Sequence, residues 1–413
     1  MAIYSPVFTH ILHFVKDVHM FTSSDQIPLS TRTGTHFVIG ELLPLLFEFL
    51  KGDYKSVPPN YFMKNPNNAW IILLSSESYD ITTPGDIPNT IETIKKLTKN
   101  KRVFFITQHQ FQYDYISKQD PSLKLIGNYS EWEWFSFLRS KKWPVKNTTN
   151  YEKRFAFANR RNNSVRSKMF YNMWTIPNFP ENSYTSFNPG NYWSTIGLSK
   201  TDADANIKSI WDHAMRDLHD PAMVEWFKTS PFPQLPSKYS EQDPIKYDWY
   251  GDGLGELIHD TGISIISESV PWPVHQQLFA TEKLYRTIIV GQPFIVLAHP
   301  YYLKNLKLLG YKTFENIWDE SYDDIEDLNK RILKIRELVD WLIKLPDVEF
   351  KKLLEQASDI CAHNRATIID RCTYSRLVNE IGEPFKSQLN KDPNKISELR
   401  WARCHVLGPS NKS

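Results

Sequence analysis

Thr281-Glu282-Lys283 opens a stretch of helical patterning after a long connection from the apolar run Ile263–Ser267. A helix N-terminus offers free backbone N–H groups and the positive end of the helix dipole, which suits phosphate. Lys283 can add a charge to that contact, and Glu282 can accept hydrogen bonds from sugar hydroxyls. The same three residues are also an ordinary capped helix start, with an acid in the first turn offsetting the dipole. Glu268 stands just past the apolar run, where strands of open α/β sheets present their ligand-binding ends. A second cluster lies upstream. Between Glu152 and Lys168 stand six basic residues and one acidic residue, among them Arg160, Arg161 and Arg166. Two arginines in a loop before a capped helix make a pyrophosphate clamp, because guanidinium is planar and bidentate. A solvated basic loop or a nucleic-acid patch fits the same residues.

Elements must position these side chains. Trp70–Leu74 (WIILL) reads as a strand buried on both faces, Thr90–Thr98 has helical spacing, and Val103–Thr107 (VFFIT) is the next strand. That order predicts a βαβ unit and a parallel sheet. Glu41–Leu50 has the spacing of a further helix. A polar stretch near Trp143–Tyr151 marks a boundary. Beyond it, Phe155–Ala158 reads as a short strand and Ser164 as the N-cap of a helix reaching Trp174. Pro177–Tyr250 reads as mostly loop with short helices, and Gly251–Gly255 as a flexible turn without the Lys and Ser/Thr of a P-loop. Further on, the expected elements are a strand at Ile263–Ser267, a helix Glu282–Val290 capped by Thr281, a strand Phe294–Ala298 and a helix Tyr302–Leu309. An amphipathic helix over Asp324–Leu345 and further helix beyond it close the pattern. Asp319, Glu320 and Asp323 resemble a metal set, but their place before a long helix reads as capping and domain closure.

Composition narrows the class. The chain has 413 residues, enough for two to three domains, and a net charge of +2. Near-neutral charge gives no global nucleic-acid footprint. The three cysteines form no C-x-x-C pair, which fits a reducing compartment. The first residues lack the pattern of a signal peptide, and no run approaches a membrane span, so a soluble, cytoplasmic protein is expected.

The segment Ser267–Phe314 resembles the donor-binding region of nucleotide-sugar glycosyltransferases. It is similar to the α1,3-fucosyltransferase family, whose signature joins a Glu after a strand, then T-E-K-L-x-R/N, a small-residue turn and an apolar strand. It looks closer still to phage and giant-virus glycosyltransferase-like proteins. In these, T-E-K, G-x-P-F-I, L-G-[FY]-K-T-F and D-E-S-Y-D recur in the order found here at Thr281–Lys283, Gly291–Ile295, Leu309–Phe314 and Asp319–Asp323. The resemblance covers Ile263–Asp323 well, extends weakly to Phe155–Trp174 and does not reach residues 1–150. It implies an α/β protein of GT-B type: two Rossmann-like domains with parallel sheets facing across a cleft, followed by C-terminal helices. Residues 1–150 would be the acceptor domain, 151–345 the nucleotide-sugar donor domain and 346–413 a helical extension.

Carried over, Glu282 holds ribose hydroxyls and Lys283 the diphosphate, with Glu268, Thr281, Arg160, Arg161 and Arg166 completing the donor site. Ser267-Glu268-Ser269 stands where fucosyltransferases have Phe-Glu-Asn, so the resemblance reaches the reaction class and not the sugar. Inverting transfer needs a base for the acceptor hydroxyl. Glu77, three residues past WIILL, and His109, just past VFFIT, are the candidates. No D-x-D element follows a predicted strand, so no metal or other cofactor is expected. The expected partners are a nucleotide-sugar and an acceptor glycan or other hydroxyl compound. Two rival readings stay open: a transferase acting on a modified base in viral DNA, and a non-catalytic carbohydrate-binding or virion structural protein. The expected compartment is the cytoplasm, that of the host if the protein is viral.

Overall fold

The apolar runs expected as strands are strands. The computed structural model describes residues 36–41, 69–74, 103–106, 117–118, 125–126, 145–146, 149–159, 163–187, 220–229, 233, 252–268, 278 and 280–373. The chain divides into two compact units. The first is Met1–Phe137 with Val274–Leu278 and Arg371–Ser413; the second is Leu138–Pro273 with Phe279–Asp370. Each holds a four-stranded sheet in which every described pairing is parallel, so the protein is α/β as expected.

In the first unit, β1 (His36–Glu41), β2 (Ala69–Leu74), β3 (Val103–Ile106) and β4 (Leu125–Ile126) lie in the order β1-β2-β3-β4. Parallel neighbours need crossover connections. Here every crossover steps the same way, so the described strands create no switch point. Glu41 ends β1, where the sequence suggested the start of a helix. The remainder of that helix, and the one expected over 90–98, lie outside the described residues.

The second unit places β5 (Lys153–Asn159), β6 (Ser183–Phe187), β7 (Thr261–Ser267) and β8 (Phe294–Leu297) in the order β6-β5-β7-β8. Between β5 and β6 runs α1 (Ser164–Trp174). Before β7 come α2 (Pro221–Thr229) and α3 (Asp252–His259), and α4 (Glu282–Val290) joins β7 to β8. After β8 follow α5 (Tyr302–Leu308), a 3-10 turn (Ser321–Asp324), α6 (Leu328–Lys344) and α7 (Asp347–Arg371). The chain thus steps from β5 to one side, then crosses back to β7 and β8 on the other. Right-handed crossovers in opposite directions put their helices on opposite faces. The packing agrees: α6 lies against α1 and β8, while α3 lies against α4 and β7.

Residue pattern accounts for the core. Every residue of β7 is buried, its three isoleucines packed among small residues as expected of a strand covered on both faces. Phe155 and Phe157 of β5 are fully buried against Phe179. Burying each such ring contributes about 1.5–3 kcal/mol. Gly262 in β7 permits a close approach, since a Cβ there would lie 2.9 Å from the Arg154 carbonyl and 2.9 Å from the Phe350 ring.

Several local expectations need correction. Asn163, not Ser164, caps α1, its Oδ1 accepting from the Arg166 N–H at 2.8 Å. In place of the turn expected at Gly251–Gly255, Asp252 to Gly255 begin α3, an amphipathic helix that buries Leu257 and Ile258. α6 begins at Leu328 with Asp327 as its cap, four residues later than the sequence pattern placed it. β6 emerges from a region read as loop.

Candidate functional site

The second sheet reverses direction between β5 and β7. Open α/β sheets bind ligands outside the C-terminal strand ends at such a switch point. Here the two strands also part. Their pairing stops at Ala156–Ser264, three residues before either strand ends. On their outer sides, β5 stays paired to β6 as far as Asn159–Phe187, and β7 to β8 as far as Ser267–Leu297. The result is an opening at the C-terminal rim of the sheet.

Glu268 follows β7 at this rim with its side chain fully buried. Its Oε1 accepts from the Thr281 N–H at 3.0 Å and its Oε2 from the Thr281 hydroxyl at 2.6 Å. The Tyr302 hydroxyl donates to Oε1 at 3.4 Å. These bonds fix the start of α4 against the end of β7. Thr281 is the N-cap, accepting from the Lys283 N–H at 3.4 Å and from the Lys283 ammonium at 3.0 Å. That ammonium also lies 2.9 Å from Glu282 and 3.9 Å from Glu268, and its side chain is 22% exposed. Lys283 is therefore held at a helix N-terminus while still open to solvent.

The environment separates the two carboxyls. Burial pushes Glu268 up, with the Lys283 charge opposing it. Burial would also raise Glu282, but Lys283 and then Arg286 overcome it and hold that carboxyl at about 2. Glu282 is ionised, partly exposed and able to accept hydrogen bonds from hydroxyl groups. Glu268 is enclosed, and the contacts it makes orient Thr281 and α4 from within.

The basic cluster of the sequence disperses in space. Six residues along β5 span about 20 Å, so its two ends serve different surroundings. At the N-terminal end, Lys153 donates to the Glu181 carbonyl, and Arg154 to the carbonyls of Leu342 and Ile343 while lying over the Phe350 ring. Lys168 reaches Asn329 of α6 at 3.3 Å. Arg166 alone among these four occupies the first turn of α1, next to the C-terminal end of β5, and is buried. Arg160 and Arg161 lie outside the described residues, as do the candidate bases Glu77 and His109.

Sequence reading passed over Tyr302 and His299. His299 is 1% exposed, two residues beyond β8, and packs edge-on against Tyr302 with ring centroids 5.3 Å apart. Its Nδ1 is 2.8 Å from the Pro300 carbonyl, so Nδ1 carries the hydrogen. Burial, joined by the Arg331 charge, lowers its pKa to about 4 against the pull of that carbonyl. The signal for both residues was the polar HPYY following an apolar strand.

The other recurring segments build the corner behind the site. Asp323 accepts from the Leu303 and Lys304 N–H groups at 2.9 and 3.1 Å, so it caps α5 rather than α6. Glu320 accepts from the Phe314 N–H, and Asp319 from the Ser321 N–H. The amide of Asn364 on α7 exchanges hydrogen bonds with both backbone groups of Lys312. Arg331, also buried, donates to the carbonyls of Ala298, Ile325 and Glu326. Among the described residues no three His, Cys, Asp or Glu side chains gather as a metal set, and no helix is long and apolar enough to cross a membrane.

No family model matches the sequence, and no curated protein matches it. Among solved structures the chain is similar to a UDP-forming α,α-trehalose-phosphate synthase from Burkholderia xenovorans. The identity is 11% and the TM-score 0.36, over 84% of this chain and 74% of that one. The likeness is too loose to carry chemistry from that chain to this one.

Proposed function

We propose that the protein is a glycosyltransferase that holds a nucleotide-sugar at the C-terminal rim of its second sheet. The observation that carries this reading is the Glu268–Thr281–Lys283 arrangement at the switch point. A buried carboxylate fixes a helix N-terminus there, and a partly exposed ammonium stands beside it. That pairing of N–H groups and cation suits a diphosphate. Glu282 then takes ribose hydroxyls, and Arg166, with Arg160 and Arg161, supplies further positive charge to the leaving group. In the reaction, the bond from the sugar's anomeric carbon to the diphosphate oxygen breaks and its electron pair leaves with the nucleoside diphosphate. The acceptor oxygen bonds to that carbon, and its proton passes to a base, for which Glu77 is the first candidate and His109 the alternative.

Calorimetric titration of UDP and GDP tests the site. One of them should bind, and Lys283→Ala should weaken it roughly 10- to 150-fold, the worth of a charge-assisted contact. Unchanged affinity in that variant would remove the main support and leave Thr281–Lys283 as a helix cap. Glu77→Gln should leave donor affinity alone and lower kcat by roughly 10²–10⁴. Release of nucleoside diphosphate from a nucleotide-sugar separates an enzyme from a binding protein. This reading includes turnover without a divalent cation, since cationic side chains take that role. Turnover lost in EDTA and restored by Mg²⁺ or Mn²⁺ would contradict it.

A further inference from the structure

Three buried polar atoms at the rim have no hydrogen-bond partner among the described residues: Asn159 Nδ2, Ser267 Oγ and His299 Nε2. Their residues are 5%, 4% and 1% exposed. Leaving such a group unsatisfied costs about 1–3 kcal/mol, so each of the three calls for a partner. Their placement is shared. Asn159 ends β5, Ser267 ends β7 and His299 follows β8, so all three stand at the C-terminal ends of successive strands. Asn159 and Ser267 end the two strands that part beyond Ala156 and Ser264.

We propose that Asn159, Ser267 and His299 form a neutral subsite beside the α4 N-terminus, which receives hydroxyl groups of the bound nucleotide-sugar. The inference rests on the glycosyltransferase reading and extends it to three residues to which the sequence motifs give no role. Chemistry selects the occupant. With its hydrogen on Nδ1 and directed at Pro300, His299 offers a bare lone pair at Nε2. A phosphate oxygen can accept from the Asn159 amide and the Ser267 hydroxyl, but it has no hydrogen to give to His299 Nε2 and leaves that atom unsatisfied. A hydroxyl both gives and accepts, so it can donate to Nε2, accept from the Asn159 amide and do either with Ser267. The diphosphate belongs to Lys283 and the helix N-terminus, and the uncharged remainder of the ligand to this rim.

Hydroxyls occur on the ribose and on the transferred sugar, and titrations separate the two. The full-length protein is titrated with UDP and GDP, and with UDP- and GDP-linked hexoses. Ser267→Ala deletes an unpartnered hydroxyl, so its melting temperature should hold or rise while ligand affinity falls roughly 3- to 10-fold. His299→Gln retains an acceptor near the Nε2 position, and His299→Asn retains only the donor to Pro300. Gln should therefore bind ligand better than Asn, whereas a purely structural histidine would favour Asn. A loss already seen with the bare diphosphate assigns the subsite to ribose. A loss confined to the nucleotide-sugar assigns it to the transferred sugar. Wild-type affinity in Ser267→Ala together with Asn performing as well as Gln would overturn the subsite. Failure of the wild-type protein to bind any of these nucleotides would instead remove the glycosyltransferase reading, and the subsite with it.

Discussion

At the scale of single residues, burial rather than charge count decides what each group does. Glu320 shows this outside the site. Burial pushes its carboxyl up to about 7, against the pull of the Phe314 N–H. A carboxyl raised in the folded state keeps its proton when the unfolded chain has released it. Its contribution is present below about 4.5 and is lost as pH rises through about 7. Glu320→Gln keeps the acceptor for Phe314 and removes the charge. It should raise the melting temperature at pH 8 and leave it unchanged at pH 4, read by a thermal scan across that range. His299 works from the other side. Its folded pKa of about 4 lies below the ordinary 6.5, so stability falls as pH drops between those values. His299→Gln should flatten that acid limb. The residue types of the proposed donor site stand in a local pattern, Thr-Glu-Lys after a strand, and the helix start they predict is there. The division between Glu282, partly exposed, and Glu268, enclosed, was not legible in the sequence. It depends on Tyr302 and Thr281 closing over one carboxyl, and spacing carries no record of that.

Among the elements, β7 is tightly constrained. It has neighbours on both sides, and Gly262 is where Arg154 and Phe350 crowd it. Gly262→Ala should destabilise the protein by about 1–3 kcal/mol, the usual cost of overpacking, seen as a lower denaturant midpoint with unchanged slope. Asp323→Ala should cost about 1 kcal/mol by uncapping α5. Elements with strong periodicity were legible: β2, β3, β7, β8, α1 and α4 stand within a residue or two of where their apolar patterns put them. β6 was missed because SYTSF alternates buried and half-exposed positions with mostly polar side chains, inside a Pro- and Asn-rich stretch. α3 was missed because three glycines outweighed the apolar face that Leu257 and Ile258 bury. In both cases tertiary packing overrode local propensity.

Over the whole molecule, the two sheets differ in the one respect that matters for binding. The described strands of the first run in sequence order, and those of the second reverse. A nucleotide should therefore slow amide exchange at the end of β7 and the start of α4 while leaving β1–β4 as they were, measured by hydrogen–deuterium exchange with and without UDP or GDP. Protection confined to β1–β4 would move the donor site to the other unit. Strand order was the least legible feature of all, since the segments between strands say little about which side the chain returns to.

Arg331 has a consequence for how the protein can change. Three of the groups it holds, at Ala298, Ile325 and Glu326, are backbone carbonyls, which no substitution at those positions removes. A change at position 331 strips all three turns of their common partner in one step, and no exchange at 298, 325 or 326 can restore it. Suppressors of an Arg331 defect should thus arise far from these turns, as general gains in stability, and a selection for revertants should return either arginine itself or substitutions scattered through the core.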